Sequence, residues 1–397
     1  MSRERTVAVV LTLLVTLSAF RYVHDIVKLV VETSRIDFGT FYTFTAALWR
    51  GYDPFTTEGL QALDHLAIPR AGTVAPTFAP AGYLFFLPFV ALPYEAARAA
   101  WLLAGEGALL GTLWVLYRRL APPLPVAMGA LAIVLGYQPI YEDVSVGNLN
   151  HVVLVLLALT VVVDPRVRPF AVALPLSLAL NLKLYCIVLL PLLVWGGAGA
   201  AAVLTAALAV AWTLVAVAVF GVAWLPRYVD FLLVGSASLH AWSRNLSPHA
   251  ILHRLAGVAG PQPVVDAAAI TFALGIAALV AWGARGGRAR SDSMLVAWTA
   301  ALAAMPLMSP LTEEHHLVVS LIPLLFAISR VATRGGAADV ALLAGATVLL
   351  AGRYSLESFP FFATGVASLA TAGKAVGAGL LLAVIVRLAR APEPARA

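Results

Sequence analysis

Apolar runs of near-uniform character alternate with short polar or basic segments along the whole chain. Such runs can cross a hydrocarbon core of roughly 30 Å as helices of about 20 residues, with every backbone group bonded internally. The pattern predicts spans near 6–31, 96–117, 124–141, 149–164, 169–182, 183–196, 198–222, 264–284, 294–310, 314–329, 338–352 and 364–389. Two of these, 169–182 and 183–196, are short for the task. No internal repeat and no linker is evident, so residues 1–397 are expected to form one domain. The fold class is all-α, a polytopic transmembrane helical bundle of about a dozen spans.

Composition agrees and removes other classes. The chain is 61% hydrophobic and 12% charged, against roughly half and a quarter in soluble domains. Its net charge of +6 does not indicate a nucleic-acid partner, because the basic residues sit in short loops between apolar runs. The single cysteine, Cys186, excludes an internal disulfide framework and a thiolate metal site. Arg3 and Arg5 before Val7–Phe20 resemble a signal peptide. No small-residue cleavage pattern follows, so an uncleaved first span is expected.

The basic clusters are Arg3/Arg5, Arg118/Arg119, Arg166/Arg168, Arg285/Arg288/Arg290, Arg330/Arg334 and Arg387/Arg390. Placing all of them, and both chain ends, in the cytoplasm requires an even number of spans between successive clusters, and the predicted spans comply. Residues 32–95, 142–148, 223–263, 311–313 and 353–363 then fall on the other side. They, or the span edges beside them, hold Asp37, Asp53, Glu58, Asp64, Glu142, Asp143, Glu313, Glu314, Glu357 and most histidines. The unusual chemistry is therefore gathered on one face. The long segment 32–95 is expected to carry amphipathic helices in the interface, at Phe41–Trp49 and around Glu58–Leu66. Its last part, 76–93, is broken by Pro76, Pro80, Pro88 and Pro93 and reads as re-entrant.

Candidate chemistry follows from that face. Asp37 sits just past the first span, where a carboxylate suits a general base toward an incoming hydroxyl; an ion pair with Arg35 or a helix N-cap would also explain it. The run Met308–His316 ends in two histidines beside two glutamates, which suits a metal, a phosphate or an interfacial turn. Adjacent residues point about 100° apart on a helix, which works against one shared metal ion. Gly147-Asn148-Leu149-Asn150-His151 opens one span and Lys183 another, and Lys183 is a cation on the side the charge bias disfavours. The stretch from Trp242 through Arg244, Asn245, Ser247 and His249, with Arg254 beyond, adds donors for phosphate or sugar hydroxyls. Arg21, Asp25 and Lys28 are expected to line the bundle or a cavity rather than face lipid.

In order along the chain, these residues resemble glycosyltransferase family 87, membrane enzymes of the GT-C fold that use polyprenyl-phosphate sugars. The resemblance rests on Asp37-Phe38 with Tyr42, Ala46 and Gly51-Tyr-Asp-Pro54-Phe55. It continues through Phe78-Ala-Pro80 to Pro88, Leu92-Pro93 and Trp101. Then come Gly147-Asn148 with Asn150, Lys183, Asn245-Leu-Ser247, and Ser309-Pro310 before His315-His316. It implies that Asp37 activates the acceptor hydroxyl. His315 or His316, with Lys183 and Arg254, would bind the departing lipid phosphate. Asn148, Asn150, Asn245 and Tyr42 would serve the donor. Three departures stand out: Asn148 where the family pattern has glutamine, no glutamine with Asn245-Leu246, and Thr312-Glu313-Glu314 where it has an aromatic residue.

The expected activity is transfer of a sugar, mannose first, from a polyprenyl phosphate to a lipid or glycan acceptor outside the cytoplasm of a bacterial cell. No metal or other cofactor is expected, and membrane lipids are the remaining partners. An arabinofuranosyltransferase and a lipid-linked sugar flippase are the alternatives. A transporter should show paired repeats and broken helices at mid-membrane, and neither is evident. A metal-dependent lipid phosphatase or ligase would place charge at the same face.

Overall fold

A computed structural model describes residues 3–32, 36–61, 78–233, 244–257, 262–286, 293–354, 356 and 359–391. Arg35, Asp64, Trp242, Arg288, Arg290 and Glu357, weighed above, lie outside them, as do residues 62–66 of the second predicted interfacial helix. The described residues are helical with no strand, so the chain is an all-α polytopic membrane protein. Its helices are α1 (Arg3–Glu32), α2 (Ile36–Trp49), α3 (Thr57–Gln61), α4 (Ala81–Val90), α5 (Tyr94–Leu120) and α6 (Leu124–Leu135). There follow α7 (Gln138–Val146), α8 (Asn150–Val161), α9 (Pro169–Leu182), α10 (Leu189–Trp195), α11 (Gly199–Phe220) and α12 (Leu225–Leu233). The remainder are α13 (Pro248–Ala256), α14 (Gln262–Gly286), α15 (Ser293–Met308), α16 (Leu321–Arg334), α17 (Ala337–Ala351) and α18 (Gly373–Arg390). Short 3-10 turns precede α10, α16 and α18.

Among the described residues, six segments are long and apolar enough to cross a membrane: Glu4–Leu29, Tyr94–Leu120, Gly199–Phe220, Gln262–Arg285, Glu314–Arg334 and Val366–Arg390. Leu124–Leu135 and Gln138–Val146, bent by 42°, would make a seventh. The other predicted spans are apolar helices of 10–17 residues. The physical reason is local. α9 stops at Lys183, α10 at the Gly196-Gly197 turn and α8 before Asp164, so the 14-residue α9 reaches only about 21 Å. Basic residues occupy the last turns of α5, α14, α16 and α18, where they also complement the helix dipole. Leu13, Leu17 and Phe20 of α1 are exposed, as lipid-facing side chains should be. The Arg21–Asp25 pair of α1 is exposed as well, with Arg21 58% accessible, so this strip does not line a buried cavity as expected.

The chain divides into two compact units. The terminal unit comprises Met1–Ile26, Trp114–Ile140 and Leu239–Ala397; the central unit comprises Val27–Leu113 and Tyr141–Ser238.

In the terminal unit α15 is buried along nearly its whole length, Met294–Leu307, as an all-round apolar helix should be. It packs against α14, α16 and α18, and α18 also lies along α17. That last pair approaches through a glycine: a Cβ added at Gly377 would meet Leu349 Cβ at 2.9 Å and Leu350 Cγ at 3.0 Å. Small residues are what allow membrane helices so close. Gly377→Ala should cost about 1–3 kcal/mol by overpacking, visible as a lower thermal midpoint in detergent; an unchanged midpoint would show that the helices part freely.

In the central unit α9 packs between α8 and α11, and α2 against α4. Here an expectation is corrected. Phe38 through Leu48 of α2 are buried except Thr40, so α2 is an internal helix and not an amphipathic one lying in the interface. Beyond Asp37 in its first turn and the Tyr42 hydroxyl, its polar positions are threonines, and Thr40 Oγ1 donates to its own helix at Ile36 O (2.9 Å). No strongly polar face remains to meet water. Around it gathers an aromatic core: Phe38 stacks on Trp101 (5.9 Å), Phe86 lies 5.0 Å from Trp101, and Phe41 5.2 Å from Phe78. α4, with Pro88 inside it, is ten residues and about 15 Å long, too short to cross. The Ala79 N–H just before it donates to Asn181 O (2.9 Å), where α9 ends.

Candidate functional site

In the central unit a chain of side-chain amides converges on Asp37. α7 ends at Gly147, whose φ of +69° is one that residues with a Cβ rarely adopt. Trp101 Nε1–H donates to the Gly147 carbonyl (3.0 Å), and the Asn148 N–H reaches back to Asp143 O (3.1 Å). This turn aims the Asn148 amide so that Nδ2 donates to Asp37 Oδ2 at 2.6 Å. Asn148 Oδ1 accepts from Leu149 N–H (2.7 Å) and Asn150 Nδ2 (3.0 Å). Asn150 Nδ2 also donates to Asp143 Oδ1 (2.8 Å), and Tyr185 O–H to Asn150 Oδ1 (3.3 Å). Only one orientation of each amide serves all these partners. The sequence thus runs Asp37, Asn148, Asn150, Asp143, with all but Asp37 buried.

Asp37 itself, in the first turn of α2, is partly exposed. Burial pushes its carboxyl up from 3.8 to about 6. The Asn148 hydrogen bond and the Lys183 charge pull the other way, while Asp143 and Glu142 add to the rise. A carboxylate poised near neutral pH is suited to take a proton from a hydroxyl.

Lys183 stands between two helical segments, as the N-cap of the 3-10 turn that leads into α10. It is also the C-cap of α9, extended at φ −143° and ψ 107°, with its N–H on Ala179 O (2.8 Å). The 3-10 turn Leu184–Val188 follows and carries Tyr185 to Asn150. The break in the helix is what brings the lysine charge to bear on Asp37. Tyr42, expected among the donor residues, commits its O–H to Leu92 O (2.8 Å) and packs on Phe38 and Tyr94; its work here is packing.

The terminal unit holds the other expected residues. Asn245 is a loop clasp: its amide donates to Pro310 O (2.9 Å), and its Oδ1 accepts from Ser247 N–H (3.1 Å) and Thr312 N–H (3.0 Å). Arg254 is buried, with bonds to Asn245 O (2.8 Å) and Thr371 Oγ1 (3.1 Å). These contacts tie both residues, which the sequence suggested as donors for phosphate or sugar hydroxyls, into the fold. His315 and His316 lie buried in the 3-10 turn Glu314–Ser320. Their rings meet edge to face at 4.3 Å. His316 Nδ1 accepts from Glu313 N–H (3.1 Å), and His315 Nδ1 lies 3.8 Å from Glu313 Oε2. Glu313, His315 and His316 could together hold a metal ion, their ligand atoms lying within 4.8 Å of one another. Beside them Glu314 pairs with Lys374 at 2.8 Å.

Three participants did not stand out in the sequence as site residues. Asp143 was one acid among several, and only the Gly147 turn brings it to Asn150. Tyr185 had no signal. Lys374, with its partner Glu314, had one, since a lysine inside an apolar run calls for a named counter-charge.

These features define a polytopic, all-α membrane protein in which a partly exposed carboxylate is held among amides near a lysine. The sequence model of glycosyltransferase family 87 matches residues 77–310, more than half of the 397-residue chain. The chain belongs to that family and is a membrane glycosyltransferase. Asn148, Asn150, Lys183, Asn245 and Arg254 fall within the matched residues; Asp37, Tyr42, His315 and His316 fall outside. No curated protein and no solved structure matches the chain.

Proposed function

We propose that the protein moves one sugar, mannose, from a polyprenyl phosphate to a hydroxyl of a lipid or glycan acceptor on the extracytoplasmic face of a bacterial inner membrane. The observation that carries this reading is the Asp37–Asn148 contact: the amide fixes one carboxylate oxygen while burial holds the group near neutral pKa. In the reaction, the acceptor oxygen attacks the anomeric carbon as Asp37 takes its proton. The bond from that carbon to the phosphate oxygen breaks, and the electron pair leaves with the polyprenyl phosphate. Lys183 supplies positive charge where negative charge develops, the kind of preorganised stabilisation that carries much of such catalysis. His315 and His316 are assigned to the phosphate on the family resemblance alone. No metal ion takes part in the transfer.

The test is reconstitution of the full chain in nanodiscs with polyprenyl-phosphoryl-mannose or polyprenyl-phosphoryl-arabinose and a panel of lipid and glycan acceptors, read by mass spectrometry. Gain of one hexose is the expected result. Gain of a pentose would overturn the choice of mannose, and absence of both transfer and donor binding would overturn the lipid-phosphate donor.

A further inference from the structure

Away from the residues assigned to transfer, α13 and α14 bring three metal-ligating side chains to one point in the terminal unit. Ser247 caps α13, its Oγ accepting from Ala250 N–H (3.1 Å), and Pro248 sits in the first turn. His249 and His253 are four residues apart, so both rings stand on one face of the helix. α14 starts at Gln262 and offers Asp266 one turn in. His249 Nε2 lies 2.8 Å from Asp266 Oδ1, His253 Nε2 3.2 Å from the same oxygen, and the two Nε2 atoms 2.9 Å apart.

Hydrogen bonds alone do not satisfy this triangle. Each Nε2 presents either an N–H or a lone pair. If both carry hydrogens, two N–H groups face each other. If one does, the other nitrogen turns its lone pair on the carboxylate oxygen; if neither does, both do. With Asp266 ionised, every protonation state of the two rings therefore leaves at least one of the three contacts between like partners. A cation at the centre satisfies all three at once. Tetrahedral zinc with bonds of about 2.0–2.1 Å places its ligand atoms roughly 3.3 Å apart, so the three groups need spread only by a few tenths of an ångström.

We infer that His249, His253 and Asp266 form a zinc-type divalent metal site that staples α13 to α14. Two imidazoles and one carboxylate suit zinc better than calcium or magnesium, which take oxygen ligands. Three protein ligands leave a fourth position for water, and Asp266, whose side chain is 49% accessible, puts that position at the surface. The ion takes no part in sugar transfer. It fixes the helix that carries Arg254, and through it the ties to Asn245 and Thr371.

The test uses the full chain, purified without a polyhistidine tag, stripped with a chelator and dialysed against zinc. Wild type should retain about one equivalent of zinc, and with cobalt(II) should show the visible absorption of a tetrahedral N/O site. Asp266→Asn, at a half-exposed position that leaves the fold standing, should weaken binding more than tenfold and erase the cobalt spectrum. His316→Ala should keep the equivalent. Failure of wild type to hold stoichiometric zinc, unchanged binding in both Asp266→Asn and His249→Gln, or loss of the ion only in His316→Ala would each overturn the assignment.

Discussion

Asp37→Asn should lower sugar transfer by about 10²–10⁴-fold, the usual share of a general base, and at the same time make the purified protein more stable at neutral pH. Both effects come from one environment. The side-chain oxygen of asparagine can still accept from Asn148, so the local structure survives, but nothing remains to take the acceptor proton. The stability effect follows from linkage. The folded carboxyl titrates at about 6 against 3.8 without the fold, so the fold favours its protonated form. That contribution is complete at low pH and is lost as pH rises from 3.8 through about 6. Above that range the carboxylate costs on the order of 1–2 kcal/mol after allowance for its partial exposure. The variant should therefore melt higher than wild type at pH 8 and much like it at low pH. The kcat/KM of wild type should rise through pH 6. Asn148→Ala should move that midpoint upward, because the lost hydrogen bond was holding the ionised form. An Asp37→Asn protein that transfers sugar at the wild-type rate would remove Asp37 from the mechanism.

Lys374→Ala should destabilise the protein by about 3–5 kcal/mol, the cost of leaving a buried charge without its partner. The ammonium group is 2.8 Å from Glu314, and it also donates to Leu350 O (2.8 Å) and Gly352 O (2.6 Å). The side chains of Lys374 and Glu314 are 2% and 15% accessible. Removing the lysine strands a carboxylate and two carbonyls together. The double variant Lys374→Met/Glu314→Leu should recover much of the loss, because an apolar pair of similar size avoids the desolvation of both ions. Chemical unfolding in mixed micelles would measure both. A loss in the double variant equal to the sum of the losses in Lys374→Met and Glu314→Leu alone would mean that the pair is not energetically coupled.

The all-helical, membrane-crossing character was legible in the apolar runs, since nothing but helices fits such lengths. The number of full crossings was not. Residues 169–196 read as two short spans from hydropathy, and they form two apolar helical segments parted at Lys183, each below the length of a clear span. α2 misled for a related reason: its threonines count as polar in a sequence, yet in a helix a hydroxyl can bond its own backbone and be buried. Asp37, Asn148, Asn150 and Lys183 were named from sequence and do gather in one unit. Asn245, Arg254 and Tyr42 were also named, but they bond to backbone groups and, for Arg254, to the Thr371 hydroxyl as well. Residue type announces that a hydrogen bond will be made; it does not say with whom. His249 was named only as a hydrogen-bond donor; its cluster with His253 and Asp266 escaped because the two histidines meet Asp266 only through the approach of two helices.

The Glu314–Lys374 pair also bears on how the chain is made. A lone lysine near the middle of a span costs about 2.5–3.5 kcal/mol to insert, and Val366–Arg390 carries one. The partner carboxylate is synthesised some sixty residues earlier. For the last span to leave the translocon cheaply, the segment bearing Glu314 must still be waiting beside the exit. Truncation or insertion between α16 and α18 should therefore lower yield in the membrane well before it touches the chemistry.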